Sequence, residues 1–181
     1  MKEFSFDEFK PTFFFLLKFI GIYIVANLLY GMFVTHYEPG PDPITANVAG
    51  QTAVVLEVCS WPVEVLDNEK RPTTELISEN KRILSVYEGC NGINVMIIFV
   101  AFLVAFGPIN KTLAWFIPLG LLILHVINLL RISLLFWVAL YRPEAMYFTH
   151  KYFFTAILYV VVFVLWMIWV RKFSLMKKVP A

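Results

Sequence analysis

Residues 112–141 read TLAWFIPLGLLILHVINLLRISLLFWVALY. His125, Asn128 and Arg131 set strongly polar groups into this otherwise largely apolar run. A helix crosses the hydrocarbon layer, roughly 30 Å thick, with about 20 apolar residues. The run is therefore a membrane-crossing helix with length to spare, and the surplus must tilt, kink or pack outside the bilayer. An arginine inside such a stretch is costly to bury and is a functional candidate by default.

Three further apolar runs surround it, at residues 13–34, 90–110 and 150–171. The first holds one charge, Lys18, close enough to its start for the ammonium to reach the headgroups. The composition agrees with a bilayer as solvent. Hydrophobic residues make up 60% of the chain and charged residues 15%, against about 45–50% and about 25% in soluble domains. Mean hydropathy is +0.73, and 17% of residues are aromatic. These values exclude a disordered chain, a disulfide-rich miniprotein and an ordinary soluble enzyme. The expected fold is an all-α multipass membrane protein, a single membrane domain over residues 1–181 with four transmembrane helices.

The first run reads as a retained anchor. It is longer than a signal-peptide core, no A-x-A-like site follows it, and Glu3, Asp7 and Glu8 precede it. Four crossings put both ends on one side. From Arg171 through the basic tail, 172–181, the chain carries four positive charges and no acid, whereas residues 35–89 carry a net −5. By the positive-inside rule the ends lie in the cytoplasm and residues 35–89 outside. This charge distribution offers no basic face to a nucleic acid. The outer segment is too short for a confident core of its own and reads as a cap on the membrane face. Asp42-Pro43 opens an amphipathic helix as N-cap and first-turn proline. Strand-like runs follow at Val63–Leu66, Glu75–Ser78 and Arg82–Tyr87, the last two joined by a turn at Glu79-Asn80-Lys81. A helix plus β-hairpin cap is expected. No Rossmann glycine motif, P-loop or His/Cys zinc spacing is present, so no cofactor or metal is expected.

Three reactive groups converge in depth. Cys90, in Glu88-Gly89-Cys90-Asn91-Gly92, sits at the outer end of the second run, and His150 at the outer start of the fourth. Arg131 lies 19 residues after Thr112, roughly 28 Å along a helix from the inner face. All three thus reach the outer boundary. Asn128, one turn before Arg131 on the same face, is a natural partner for the guanidinium. Together they suit acyl transfer. A cation lowers a thiol pKa and can donate to an oxyanion, and a histidine can shuttle the proton. Gly89 and Gly92 would let a substrate backbone approach, and Glu88 could orient a catalytic group. Blander readings stand beside these: a buried structural Cys90, a Cys59–Cys90 disulfide, an Arg131 that snorkels, and an interfacial His150. His36 and His125 read as structural. Trp115, Trp137, Trp166 and Trp169 read as interface or packing residues.

The set Gly89-Cys90-Asn91-Gly92-Ile93, Asn128-x-x-Arg131-Ile132 and His150 resembles the exosortase/archaeosortase family, and its short "EGCNGI" form is most similar to the exosortase F group. The resemblance covers roughly residues 85–155. It implies a multipass membrane cysteine protease and transpeptidase of the bacterial inner (cytoplasmic) membrane, with its active site on the extracytoplasmic face. By motif position the catalytic set is Cys90, Arg131 and His150, with Asn128, Asn91, Gly89, Gly92 and Glu88 around it. The implied substrate is a membrane-anchored protein with a C-terminal sorting signal: a short motif, one transmembrane helix and a basic end. This chain is shorter than many exosortases, so a small partner membrane protein is implied as well. Three other classes compete: a non-catalytic membrane assembly factor, a thiol oxidoreductase using Cys59 and Cys90, and a small transporter. The second lacks a Cys-x-x-Cys dithiol, and the third lacks ionisable groups near the midplane, His125 apart.

Overall fold

The structure is a computed structural model and describes residues 9–107 and 109–172. Among the described residues, five α-helices of more than three residues and one small sheet follow in the order α1 (Lys10–Thr35), α2 (Pro43–Val58), β1 (Glu64–Asp67), β2 (Thr73–Ser78), β3 (Lys81–Tyr87), α3 (Ile93–Phe106), α4 (Lys111–Tyr141) and, after the single helical turn α5 (Met146–Phe148) and a π-helical segment, α6 (Phe154–Lys172). The protein is a multipass membrane protein, helical throughout its apolar layer, with a three-stranded sheet in its cap. The helical runs Lys10–Thr35, Lys111–Tyr141 and Pro143–Lys172 are each long and apolar enough to cross a membrane. The second apolar run of the sequence, 90–110, is helical only over the 14 residues of α3, about 21 Å. Gly92, at φ +87°, starts it and an extended Gly107 ends it. Of the basic tail, 172–181, all but Lys172 lies outside the described residues, as do Glu3, Asp7 and Glu8.

Two separate cores divide the molecule. In the first, Phe99 and Leu103 of α3 pack with Leu113, Phe116 and Leu124 of α4 and with Val162, Leu165 and Trp169 of α6. Aromatic rings extend this layer to α1. Phe102 stacks on Trp166 at 4.2 Å between centroids and meets Phe15 edge-on at 5.5 Å. The outward sides of α1, α4 and α6 expose Leu28, Leu29, Leu122, Leu134, Val160 and Phe163, an apolar belt that lipid chains can cover. In the second core, Val48, Ala49, Ala53 and Leu56 of α2 pack with Leu76, Val86, Cys90, Ile132 and Phe136. Helix α4 belongs to both. Its 31 residues extend about 46 Å, more than a bilayer requires. The surplus seen in the sequence is the half that runs on into the cap, and the helix continues unbroken through Pro118.

Local chemistry explains the cap. Asp42 accepts hydrogen bonds from the backbone N–H groups of Ile44 and Thr45 at 2.9 and 3.0 Å, which satisfies orphan donors of α2. All three strand-like runs form strands, in the antiparallel order β1-β2-β3. Glu79 and Asn80, both at positive φ, make the two-residue β2–β3 turn, as a primed hairpin turn requires.

Gly120 permits the α3–α4 approach: a Cβ there would run into the Phe99 ring. Gly120→Ala should therefore destabilise the protein by about 1–3 kcal/mol, read as a lowered thermal midpoint in detergent. Adding Phe99→Leu should recover part of that loss. Equal midpoints for the wild type and Gly120→Ala would contradict the packing.

Candidate active site

Cys90 occupies a sharp connection between a strand and a helix. β3 ends at Tyr87, Glu88–Cys90 form one 3₁₀ turn, and Gly92 opens α3 with a left-handed backbone. Asn91 fastens the turn. Its side-chain amide donates to the Tyr30 hydroxyl at 2.6 Å and to Thr45 Oγ1 at 2.9 Å, and its carbonyl oxygen accepts from the Ile93 N–H at 3.0 Å. Since Thr45 in turn bonds to Asp42, a chain of buried polar groups ties the turn to α1 and α2. Asn91 therefore holds the loop and does not line the cavity beside Cys90. Gly92 has a similar role: its φ is +87°, and a Cβ there would press on Asn128 at 3.1 Å. It serves backbone geometry and packing, whereas the sequence reading expected it to give access to a substrate. Gly89 does line the cavity, and its missing Cβ makes room for the Tyr87 ring. Glu88 is exposed and is not part of the lining.

Cys90, Arg131 and His150 share one cavity of about 550 Å³, walled by β3, α4 and residues 146–155. Cys90 Sγ lies 3.1 Å from His150 Nε2. Cys90 is 4% exposed and Arg131 7%. Asn128, wholly buried, donates to the Cys90 carbonyl oxygen at 2.9 Å and accepts from Arg131 Nη1 at 3.3 Å. The pairing of Asn128 with Arg131 follows the one-turn spacing read from the sequence. Arg131 Nε is buried and has no hydrogen-bond partner. Among the described residues no carboxylate forms an ion pair with this guanidinium; the pairs present, Arg82–Glu75 and Arg142–Glu144, lie elsewhere. An almost buried cation without a counter-ion is costly, and a negative charge in this cavity would offset that cost.

His150 sits in a five-residue π-helical segment, Thr149–Phe153, a local widening frequent at functional sites. The Thr155 hydroxyl donates to the His150 carbonyl oxygen at 3.2 Å. Cys59 is exposed at the end of α2 and is not joined to the buried Cys90, so the disulfide alternative is not formed. His125 bonds to Gln51 at 2.6 Å, away from the cavity.

Tyr87 was missed in the sequence. Its ring lies 6.3 Å from that of His150, and Tyr87 favours the Cys90 thiolate. Its position at the last residue of a strand that runs into the cysteine turn was the available signal. Burial nevertheless pushes the Cys90 thiol above its ordinary value, and the Arg131 charge and Tyr87 oppose that shift without overcoming it. Arg131 thus acts in the expected direction, but desolvation outweighs it. At neutral pH the sulfur keeps its proton, with His150 Nε2 in contact with it.

The chain is thus a multipass membrane protein in which a buried cysteine contacts a histidine at the mouth of the cap. No protein-family model, characterised protein or solved structure matches it.

Alkylation of Cys90 by iodoacetamide, followed by mass spectrometry from pH 6 to 10, should rise through a midpoint above the ordinary thiol value of about 8.5. Arg131→Gln removes a stabiliser of the thiolate, so the midpoint should move further up and labelling at pH 8 should fall. A wild-type midpoint below about 8.5 would contradict the dominance of burial.

Proposed function

We propose that the protein is a membrane-embedded cysteine peptidase and transpeptidase of the exosortase type. It would act at the extracytoplasmic face of a bacterial inner membrane on a protein with a C-terminal sorting signal. The contact that carries this reading is Cys90 Sγ to His150 Nε2 at 3.1 Å, beside the counter-ion-free Arg131. His150 takes the thiol proton as sulfur attacks the scissile carbonyl carbon. The carbonyl π pair moves onto oxygen, and Arg131 is the available charge for that oxyanion. Collapse breaks the C–N bond, and the imidazolium returns its proton to the leaving amine. The resulting thioester is attacked by water or by a hydroxyl or amine acceptor, whose proton passes to His150 and then to the departing sulfur. Electrons and protons balance without a redox partner, which separates this scheme from a thiol oxidoreductase. The exposed Cys59, remote from the cavity lining, supports the same distinction.

In cells that carry the native substrate, Cys90→Ala should leave it uncleaved, while Cys59→Ala should retain most processing, as read by the size of the substrate on a blot. Equal loss from both changes would favour a redox pair. Unimpaired processing by Cys90→Ala would favour a non-catalytic assembly factor.

Arg131→Lys should cost on the order of 10²-fold in turnover, as loss of an oxyanion donor does, because an ammonium lacks the planar fork that keeps the Asn128 bond while reaching the oxyanion. Membrane insertion and protein level should be unchanged. Normal turnover in that variant would reduce Arg131 to an interfacial anchor.

The orientation rests on the charges at the ends of the spans. Reporters fused after Ala181 and within residues 67–71 should report cytoplasmic and external locations respectively. A tail reporter active outside would overturn the external site.

A further inference from the structure

We infer that the free edge of β3 receives an extended segment of a polypeptide substrate as a fourth strand and feeds it to Cys90. This rests on the peptidase reading above and adds how the substrate is held. Among the described residues, the sheet order β1-β2-β3 leaves one side of β3 without a neighbouring strand. Four consecutive β3 residues, Leu84, Ser85, Val86 and Tyr87, line the Cys90 cavity. Side chains alternate between the faces of a strand, so a wall that includes every residue in turn is the strand's backbone edge.

The register shows which backbone groups are available. The Thr73 carbonyl oxygen accepts from the Asn68 N–H at 3.0 Å, and the Thr73 N–H donates to Arg71 at 2.7 Å. Thr73 therefore directs its main chain away from β3, toward the β1 side. In an antiparallel ladder this direction alternates residue by residue, so Thr74 faces β3 and Glu75 faces β1. Opposite them, Val86 pairs with Thr74, Ser85 with Glu75 and Tyr87 with Thr73. Val86 is thus bonded into the sheet, whereas Ser85 and Tyr87 turn their N–H and C=O groups outward. The Ser85 N–H and C=O and the Tyr87 C=O remain for a guest, spaced by about 6.7 Å, the two-residue repeat of a strand. β-Augmentation uses such a row: the main chain gives affinity and pockets give selectivity.

A second copy of the protein suits this edge less well. The edge lies in a recess bounded by α4 and residues 146–155, and a second sheet would have to enter between these walls. At its other end β3 exposes Lys81 and Arg82, charges of the kind that blunt edge-to-edge pairing.

The test uses the full-length protein in nanodiscs and three thiol probes. One is a tetrapeptide of valine, threonine, valine and alanine ending in a vinyl sulfone. The second is its twin, N-methylated at both internal amides. The third is iodoacetamide, which has no strand to add. The unmethylated peptide should modify Cys90 at least 10-fold faster than its twin. Ser85→Pro deletes an outward N–H without touching the β2–β3 ladder, as an edge strand tolerates. It should shrink that ratio several-fold and leave the iodoacetamide rate within twofold. Ser85→Ala should keep the full ratio, since the main chain and not the hydroxyl is recruited. Equal rates for the two peptides on the wild-type protein, with Cys90 still alkylated by iodoacetamide, would overturn the strand-addition proposal and leave the peptidase reading standing. A Cys90 inert to all three probes across the pH range would remove the peptidase reading itself. Disulfide-linked dimers of a Ser85→Cys, Cys59→Ala protein would assign the edge to a second copy and overturn the proposal.

Discussion

Asn128 makes the two hydrogen bonds on which the arrangement of the site turns. Its amide joins the middle of α4 to the Cys90 carbonyl oxygen and to the Arg131 guanidinium, and it is fully buried. Both bonds also fix which way the amide points: nitrogen to the carbonyl, oxygen to the guanidinium. Any apolar replacement would strand a buried carbonyl and leave Arg131 with still less compensation, a double penalty in a low-dielectric setting. The absence of a Cβ at Gly92 is part of the same constraint, because that is the space the Asn128 side chain fills. Two elements distant in sequence, α4 and the cysteine turn, are therefore positioned by one amide and one glycine.

The helical layer was legible because hydropathy needs only a one-dimensional count, and the bilayer supplies the ruler. The Asp42 cap and the strand runs of the cap were legible for a related reason: each is decided by neighbours within a few residues. The shared depth of Cys90, Arg131 and His150 could be argued from helical rise for Arg131 and from the order of the spans for the other two. What could not be read is how side chains turn once they arrive. Asn91 and Gly92 stand next to the cysteine in sequence, yet they serve the loop and the packing. Tyr87 lies three residues away and lines the cavity beside His150. Whether burial or the guanidinium controls the thiol likewise depends on packing density around Cys90, which no spacing encodes. The π-helical segment that presents His150 gives no sequence signal either, because it differs from an α-helix only in which carbonyl each N–H chooses.

The site also separates two jobs that cysteine enzymes often combine. A permanently ionised thiolate at a membrane surface would be exposed to every oxidant and electrophile that reaches it. Here burial keeps Cys90 protonated at rest, and a histidine in contact provides the means to ionise it. On the proposed peptidase reading, the guanidinium, which has no carboxylate partner among the described residues, is the charge available to the sulfur first and to a carbonyl oxygen afterward.

Helix α4 runs as one piece from the lipid layer into the cap, and this makes the molecule a gauge of membrane thickness. A rod about 46 Å long does not shorten in a thin bilayer; it leans. At a tilt of about 20° such a rod loses about 3 Å of height, close to the advance of one residue along an extended chain. Anything anchored in the same bilayer and reaching up to Cys90 would meet the sulfur one residue earlier or later as the rod leans. On the proposed peptidase reading, lipid composition would thereby enter the choice of bond, through the angle of a single helix.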